Sequence, residues 1–260
     1  MNDIAHEVEV ILRGAGEILH EGYLAEAGSW TNKGRVDLVT EWDMKSERYI
    51  RETISNRFPG HAILGEEGGG ALSSEGYLWV VDPLDGTTNF VHKLPYFSVA
   101  VACLKDGVPL AGGVFAPVFN KLFLAERGQG AVCNQQKIRV SSVDTLEEAL
   151  FVTGFPYERE GRIPMLQRMI GNALGHVQGI RRMGSAALDL CHVASGLFDV
   201  YIEFEIKPWD MAAGVLVLEE AGGKVSRCDG SPLLLDGRQI VASNGILHDP
   251  ALRNILDGVL

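Results

Sequence analysis

The order of predicted helices and strands changes halfway along the chain, and this change restricts the fold more than any other feature. Apolar residues at helical spacing predict amphipathic helices over 4–25 and about 43–58, and a run of strands joined by short turns follows them. In the second half, predicted strands and helices alternate. We therefore predict an α+β lobe over about 1–145 and an α/β lobe over about 146–260, with sheets and helices layered in a single domain over 1–260.

Charge and composition exclude several classes of protein. Of the 260 residues, 34 are acidic and 23 are basic, a net charge of −11, so no basic surface for nucleic acid is expected. A hydrophobic fraction of 46% supports a compact core. No apolar run reaches the ~20 residues of a membrane helix, and the N-terminus lacks a basic segment followed by an apolar one. We therefore expect a soluble, cytoplasmic protein with neither a nucleic-acid nor a membrane partner.

Two aspartates follow the predicted buried strand YLWVV and are separated by a proline and a leucine. Side chains three residues apart on a regular strand point to opposite faces. Pro83 interrupts the ladder and biases Asp82 toward an extended conformation, and Gly86 permits a tight turn, so that Asp82 and Asp85 can converge on one point. The hydroxyl and amide residues that follow favour the start of a helix, whose N–H groups would form an anion site.

Further acids end or begin other predicted elements. Glu66 and Glu67 close the predicted strand AILG, and Asp210 opens a predicted helix. Any one of these acids is more often a residue that complements a helix dipole than a ligand, so the prediction depends on all of them together. If they converge, burial and mutual repulsion raise their pKa values unless a cation lies between them.

The available ligand types indicate a hard divalent cation. The chain contains no HExxH motif, and its four cysteines form no CxxC pair, which disfavours zinc and disulfides and predicts reduced thiols. Oxygen ligands favour Mg²⁺ or Mn²⁺, and the loop lacks the alternating ligands of a calcium-binding hand. A magnesium cluster beside a helix N-terminus suits the hydrolysis of a phosphomonoester by a metal-activated water, with no protein nucleophile.

The same segments resemble the inositol monophosphatase family of magnesium-dependent, lithium-sensitive phosphatases. The resemblance rests on GEE at 65–67, DPLDGTTNF at 82–90, PWDMAAG at 208–214 and EAGG at 220–223, with support from VDLVTEWD at 36–43, GQGAVCN at 128–134 and GSAALDLCHVASG at 184–196. It covers about residues 33–245 in the order typical of the family. It implies a five-layered α/β/α/β/α sandwich of the sugar phosphatase type, and a homodimer.

The resemblance also implies the ligands of two or three Mg²⁺ ions, with Mn²⁺ as a substitute. Glu66, Asp82 and the backbone carbonyl of Leu84 would bind the first ion, and Asp82, Asp85 and Asp210 the second. Glu66 would reach a weaker third ion through water.

Catalytic and substrate roles follow from the same resemblance. Thr87, with Asp43 behind it, would orient and help to deprotonate the attacking water, with Glu66 as the third catalytic residue. The N–H groups of Gly86 and Thr87 would hold the phosphate, and Lys33 would lie on a mobile loop above it. The remaining contacts to the substrate are assigned to Asp85, Gly184, Ser185, Ala186, Glu203 and Asp210.

Several alternatives stay open at this point. Thr87 and Asp43 are also ordinary helix-capping residue types. Arg181 and Arg182 fit a dimer contact, which we favour, or a second phosphate of the substrate. Glu205 stands where relatives more often carry a small residue, which leaves the sugar preference open.

We expect magnesium-dependent hydrolysis of the phosphomonoester of a small polyol, inositol monophosphate before others. A fructose-1,6-bisphosphatase of the same fold, or an enzyme with both activities, is the alternative. A nucleotide phosphatase is disfavoured because the sequence shows no aromatic or basic feature that would bind a base. A binding or regulatory protein with secondary catalysis is a further alternative, disfavoured because every expected ligand position is filled.

Overall fold

The computed structural model describes residues 3–25, 30–32 and 38–259. In the first half the elements are α1 (Asp3–Leu24), β1 (Trp30–Asn32), β2 (Leu38–Thr40), α2 (Glu41–Arg57), β3 (Ala62–Gly65), β4 (Tyr77–Asp85), α3 (Thr87–Val91), β5 (Ser98–Lys105), β6 (Val108–Ala116), β7 (Lys121–Glu126), β8 (Gly130–Cys133) and β9 (Gln136–Lys137). After a short 3-10 turn follow β10 (Leu150–Thr153), α4 (Ile163–Leu174), β11 (Gly179–Arg181), α5 (Ala186–Ala194), β12 (Val200–Phe204), α6 (Pro208–Glu220), β13 (Lys224–Ser226), β14 (Gln239–Ser243) and α7 (His248–Asn254).

The strands form two large sheets and one short ribbon. The seven-stranded sheet runs in the order β3-β4-β5-β6-β7-β8-β9, and only its β3–β4 pair is parallel. The five-stranded sheet has the order β11-β10-β12-β14-β13, in which β10 is parallel to both of its neighbours and β14 is antiparallel to β12 and β13. The ribbon pairs β1 with β2.

Alternating side chains on the strands build three apolar cores between five layers. On β4, Trp79 packs toward α1 and α2, whereas Leu78 packs toward α5 and α6 in the middle of the molecule. On β12, Tyr201 joins that middle core, and Ile202 faces α4 and α7 on the far side. The order of layers is therefore α/β/α/β/α, which confirms the expected five-layered sandwich. None of the helices in the described ranges combines the length and the apolarity that spanning a bilayer requires.

Most predicted helices and strands occur within a few residues of their expected bounds, with two differences. Strands β2, β8, β9 and β11 lie in segments for which no strand was predicted. The segment 27–37, expected to be an exposed loop, contains β1, which pairs with β2. Lys33, expected on that loop, lies outside the described residues.

A buried polar network lies between the two large sheets. The Tyr96 hydroxyl lies 2.7 Å from Asp189 Oδ1 and 2.8 Å from His192 Nδ1. All three residues are buried, and the burial of His192, with a smaller effect from Lys121, lowers its pKa to about 4. His192 therefore stays neutral in the folded protein at pH values where an unfolded histidine is charged.

We expect this histidine to make the folded state less stable in mild acid. Its folded pKa of about 4 lies below the unfolded value of 6.5, so the unfolded chain binds the proton first and stability falls as the pH drops through that window. The loss should reach up to ~1.4 kcal/mol per pH unit. Urea unfolding of the wild type and H192Q between pH 5 and 7.5 measures this effect, because groups that do not contact the network of Tyr96, Asp189 and His192 cancel in the difference. A difference that does not change with pH would contradict the prediction.

Candidate active site

A bulge in β4 sets the direction of the two aspartates. Asp82 pairs with Ala100 and Asp85 with Ser98 on β5, so three steps along β4 oppose two steps along β5. The extra residue turns Asp82 and Asp85 to the same face of the sheet, whereas regular alternation would place them on opposite faces. The strand continues to Asp85, but its pairing with β5 skips Pro83 and Leu84, so the ladder is interrupted at Pro83 as expected, and the bulge makes the two aspartates converge.

Gly86 forms the N-cap of α3 and brings this turn close to neighbouring backbone. Its φ is 91°, and a Cβ there would lie 3.0 Å from the carbonyl oxygen of Gly184 and 3.1 Å from that of Tyr96. Only glycine combines this conformation with such a close approach. No side chain caps α3, so Thr87 is not a cap, and its hydroxyl makes other contacts.

The two carboxylate oxygens of Asp43 make different contacts. Oδ2 accepts hydrogen bonds from the N–H and the hydroxyl of Thr40, at 2.9 and 2.5 Å, and so completes a capping box at the start of α2. Oδ1 lies 3.2 Å from Thr87 Oγ1, which is also 3.0 Å from the carbonyl oxygen of Leu84. Burial raises the pKa of Asp43 to about 6, against the hydrogen bonds from Thr40. Asp43 therefore caps a helix and also faces the Thr87 hydroxyl.

Asp85 connects the first sheet to the N-terminus of α5. Its Oδ2 accepts hydrogen bonds from Ser185 Oγ at 2.5 Å and from the N–H of Ala187 at 2.8 Å, and its Oδ1 accepts one from the N–H of Ala186 at 3.2 Å. The N-cap residue Ser185 does not cap α5 itself, so Asp85 fills that role from β4. Burial raises the pKa of Asp85 to about 6 although these hydrogen bonds lower it.

The turn that carries Glu66 is held by α2. The Glu47 carboxylate accepts hydrogen bonds from the N–H groups of Glu67 and Gly68, at 2.8 and 2.9 Å. Arg51 forms an ion pair with Glu47 at 2.6 Å, and its own guanidinium donates to the backbone of the same turn. The buried Glu47 thus fixes the backbone next to Glu66.

Two further acids reach the site from the second half of the chain. Asp210, in the first turn of α6, accepts a hydrogen bond from the N–H of Lys207 at 2.8 Å. Glu203 on β12 accepts one from the Tyr201 hydroxyl, and a Cβ at Gly154 would overlap the Glu203 carboxylate. Burial raises the pKa of Glu203 to about 7.

The expected metal and substrate residues line one cavity of about 250 Å³. They are Glu66, Asp82, Leu84, Asp85, Gly86, Thr87, Gly184, Ser185, Ala186, Glu203 and Asp210. Asp43 is buried behind Thr87.

The acids of this cavity raise the pKa values of one another. Burial is the main cause that holds the pKa of Asp82 well above its usual range, and Glu66, Asp85 and Asp210 add to it. Across the described ranges, no three Asp, Glu, His or Cys side chains are grouped so that they could hold a metal ion as they stand. The acids share the cavity as separate groups, and the backbone N–H groups of Leu84, Ala186 and Lys207 hold Asp82, Asp85 and Asp210.

Sequence reasoning assigned no role to Asn89, and for Arg182 it gave a contact with the substrate only as the alternative to a dimer contact. Asn89 donates from Nδ2 to the carbonyl oxygens of Tyr96 and Met183, at 2.6 and 2.9 Å, and so holds the segment before Gly184. Arg182, for which a dimer contact was favoured, lines the cavity, and its charge lowers the pKa of Glu203 against the larger effect of burial. Asn89 lies within the motif DPLDGTTNF, but no local sequence pattern indicates its hydrogen bond to Met183, 94 residues away.

Comparisons with known proteins agree with this architecture. The inositol monophosphatase family matches residues 2–257. The chain is 44% identical over 256 residues to the chloroplastic phosphatase IMPL1 of Arabidopsis thaliana, with 95% of this chain and 68% of the relative covered. It is 39% identical over 235 residues to a fructose-1,6-bisphosphatase/inositol-1-monophosphatase of Aquifex aeolicus, with 90% of this chain and 88% of the relative covered.

A solved structure gives the same result. The inositol monophosphatase from Anabaena superposes with a TM-score of 0.87 at 39% identity, with 96% of this chain and 94% of that chain covered. The chain therefore belongs to the inositol monophosphatase family and is a phosphatase of the hydrolase class.

Proposed function

We propose that this protein hydrolyses the phosphomonoester of a small polyol, inositol monophosphate, to the polyol and phosphate, in a magnesium-dependent reaction with an activated water as nucleophile. The observation that carries the proposal is the gathering of four acids in one cavity, Glu66, Asp82, Asp85 and Asp210, beside the contact between Thr87 and Asp43.

We infer that the acids would hold two or three Mg²⁺ ions, with Mn²⁺ as a substitute, although their side chains are not grouped around an ion as they stand. Their donors are oxygens, and the raised pKa values of Asp82 and Asp210 show that burial and repulsion disfavour their charged forms. Glu66, Asp82 and the Leu84 carbonyl would hold one ion, and Asp82, Asp85 and Asp210 another. When bound, the metal lowers the pKa of a water and neutralises phosphate charge.

Thr87 and Asp43 would prepare the water for attack. When the Thr87 hydroxyl donates to Asp43 Oδ1, its oxygen can accept a hydrogen bond from the water and hold it in place. As the water attacks, its proton passes to Thr87 Oγ1 while the Thr87 proton moves to Asp43 Oδ1. A pKa of about 6 suits Asp43 to receive a proton near neutral pH.

The remaining residues of the cavity would bind the substrate. The N–H groups of Gly86 and Thr87 would hold phosphate oxygens, and Glu203 Oε1 would accept a hydrogen bond from a polyol hydroxyl, since Oε2 already accepts one from Tyr201. Gly184, Ser185 and Ala186 would contact the other hydroxyls.

A panel of substrates tests this function. Purified protein with Mg²⁺ should release phosphate from inositol monophosphate faster than from nucleotide phosphates, and a chelator should stop the reaction. Equal rates in chelated and Mg²⁺-supplied samples would refute the proposal. Fructose 1,6-bisphosphate belongs in the panel, because Arg182 lines the cavity and could contact a second phosphate. The homodimer, the cytoplasmic location, lithium sensitivity and the two lobes of a single domain stay predictions.

Weakening the support of Glu66 should weaken metal binding. E47Q removes the carboxylate that accepts the Glu67 and Gly68 N–H groups, so Glu66 should lose its fixed position. Because residues that orient metal ligands affect metal affinity by ~10–100-fold, the Mg²⁺ concentration for half-maximal activity should rise by about tenfold, with a smaller effect on kcat.

The matched control is E41Q, on the same helix. Glu41 forms an exposed ion pair with Lys45 at 2.7 Å and does not touch the cavity. A Mg²⁺ requirement that rises equally in both variants, or in neither, would contradict a positioning role for Glu47.

A further inference from the structure

Glu205 follows β12 in a conformation that its side chain does not favour. Its φ is 61°, in the left-handed region that residues with a Cβ rarely adopt. Its N–H donates to the carbonyl oxygen of Arg238 at 2.5 Å, which fixes this backbone against the start of β14. A backbone outlier of this kind persists where surrounding contacts enforce it, and such outliers cluster at functional sites.

Two arginines hold the Glu205 carboxylate. Oε1 accepts a hydrogen bond from Arg162 at 2.6 Å, and Oε2 accepts one from Arg238 at 3.0 Å. Arg162 is the N-cap residue of α4, and Arg238 immediately precedes β14, so the carboxylate joins three separate segments. Because both oxygens are engaged, the acid is held in one orientation, and each guanidinium group donates one hydrogen bond to it.

The carboxylate also forms part of the cavity wall. Glu205 lines the same cavity as Glu66 and Asp82, although it belongs to neither proposed metal site. The lining also includes Arg182 and Lys207, which would attract a second phosphate on the substrate. Glu205 offsets part of the positive charge of Arg162 and Arg238, which lie behind it outside the cavity lining, and so keeps that charge from adding to the attraction.

We propose that Glu205 is a specificity-determining residue, which admits phosphomonoesters of uncharged polyols and disfavours substrates that carry a second phosphate. It does so by offsetting the positive charge of Arg162 and Arg238 and by engaging one N–H group of each. This inference rests on the proposed function, because it concerns the remainder of the same substrate.

The test compares the binding of two ligands that differ only in one phosphate. We would measure by calorimetry, with Mg²⁺ present, the Kd of the non-hydrolysable phosphonate analogues of a hexitol 1-phosphate and a hexitol 1,6-bisphosphate. In E205Q the preference for the bisphosphate analogue should rise by about tenfold or more relative to the wild type, and the ratio of kcat/KM values for the parent esters should move in the same direction.

Three further variants test whether the effect comes from the charge of Glu205. E219Q removes an exposed acid that pairs with Arg127 at 3.4 Å outside this cavity, and it should leave the ratio unchanged. E205G suits the positive φ of this position and gives a second route to the same loss of charge if E205Q folds poorly. Adding R162Q and R238Q to E205Q should remove most of the gain.

The possible outcomes are distinct. An unchanged ratio in folded E205Q or E205G overturns the role of Glu205 while the proposed function stands. If the raised preference for the bisphosphate analogue persists after Arg162 and Arg238 are both replaced, these arginines do not contribute to it. If neither the wild type nor the variants release phosphate from inositol monophosphate with Mg²⁺ present, the proposed function fails, and the inference fails with it.

Discussion

Replacing Asp82 with asparagine should abolish turnover and yet make the metal-free protein more stable. Asp82 is 1% exposed, and its pKa is held well above the usual range by burial and by Glu66, Asp85 and Asp210. The asparagine oxygen can keep the hydrogen bond from the Leu84 N–H, while the buried charge and its repulsion are removed. Because metal stabilisation of a phosphoryl transfer is worth several kcal/mol, activity should fall by about 1,000-fold or more.

Thermal unfolding with EDTA and with Mg²⁺ separates these effects. The wild type should gain stability on Mg²⁺ addition, because the ion binds the folded state, and D82N should gain much less. D199N is a matched control, because Asp199 is also buried but accepts hydrogen bonds from Ser141 and Leu150 outside the cavity. It should lose stability equally with and without Mg²⁺. A less stable metal-free D82N, or an undiminished response to Mg²⁺, would show that these acids do not repel one another at a metal site.

Removing the charge of Asp43 should lower kcat by about 100-fold or more, because general acid and base groups contribute ~10²–10⁴-fold. In D43N the amide oxygen can still accept from the Thr40 N–H and so preserve the cap of α2, whereas the side chain can no longer take a proton from Thr87. Phosphate release at saturating substrate and Mg²⁺ measures this loss.

A double-mutant cycle of D43N and T87V tests whether Asp43 and Thr87 act together. Because the Thr87 hydroxyl and Asp43 act as a unit, the double variant should be scarcely less active than the worse single variant. Losses that multiply would mean that the two side chains act independently. T40A serves as the control for capping, since it should lower stability by ~1 kcal/mol and leave kcat far less affected than D43N does.

Elements with a strong local pattern were predictable from the sequence, and short paired strands were not. Residues 4–25 carry an apolar stripe over the whole of α1, so that helix was expected within one residue of its bounds. β9 has two exposed residues, and it follows a turn in which Asn134 and Gln135 both have positive φ. That turn lacks the glycine that usually signals such a hairpin, so its strands follow from sheet pairing and not from local sequence.

The site also has residues that local sequence predicts and residues whose contacts depend on packing. Asp82 and Asp85 stand at the end of an apolar strand, where sequence alone places an acidic pair, but the bulge that turns them to one face depends on pairing with β5. Glu47 looks like an ordinary acid on a helix surface, since its contacts lie 20 and 21 residues away. Contacts of this kind appear only when layers pack, which is why such supporting residues escaped the sequence analysis.

The position of Asp85 has a consequence for how relatives of this chain should be compared. A paralogue that had lost its chemistry would still need an acceptor for the first N–H groups of α5, so selection for a folded chain should retain this aspartate. Its presence in a distant homologue is therefore a poor indicator of a working enzyme. Asp82 accepts one local hydrogen bond, from the Leu84 N–H, which an amide side chain could also accept. Replacement of this aspartate in a relative would therefore be the earlier sign that the relative has lost its activity.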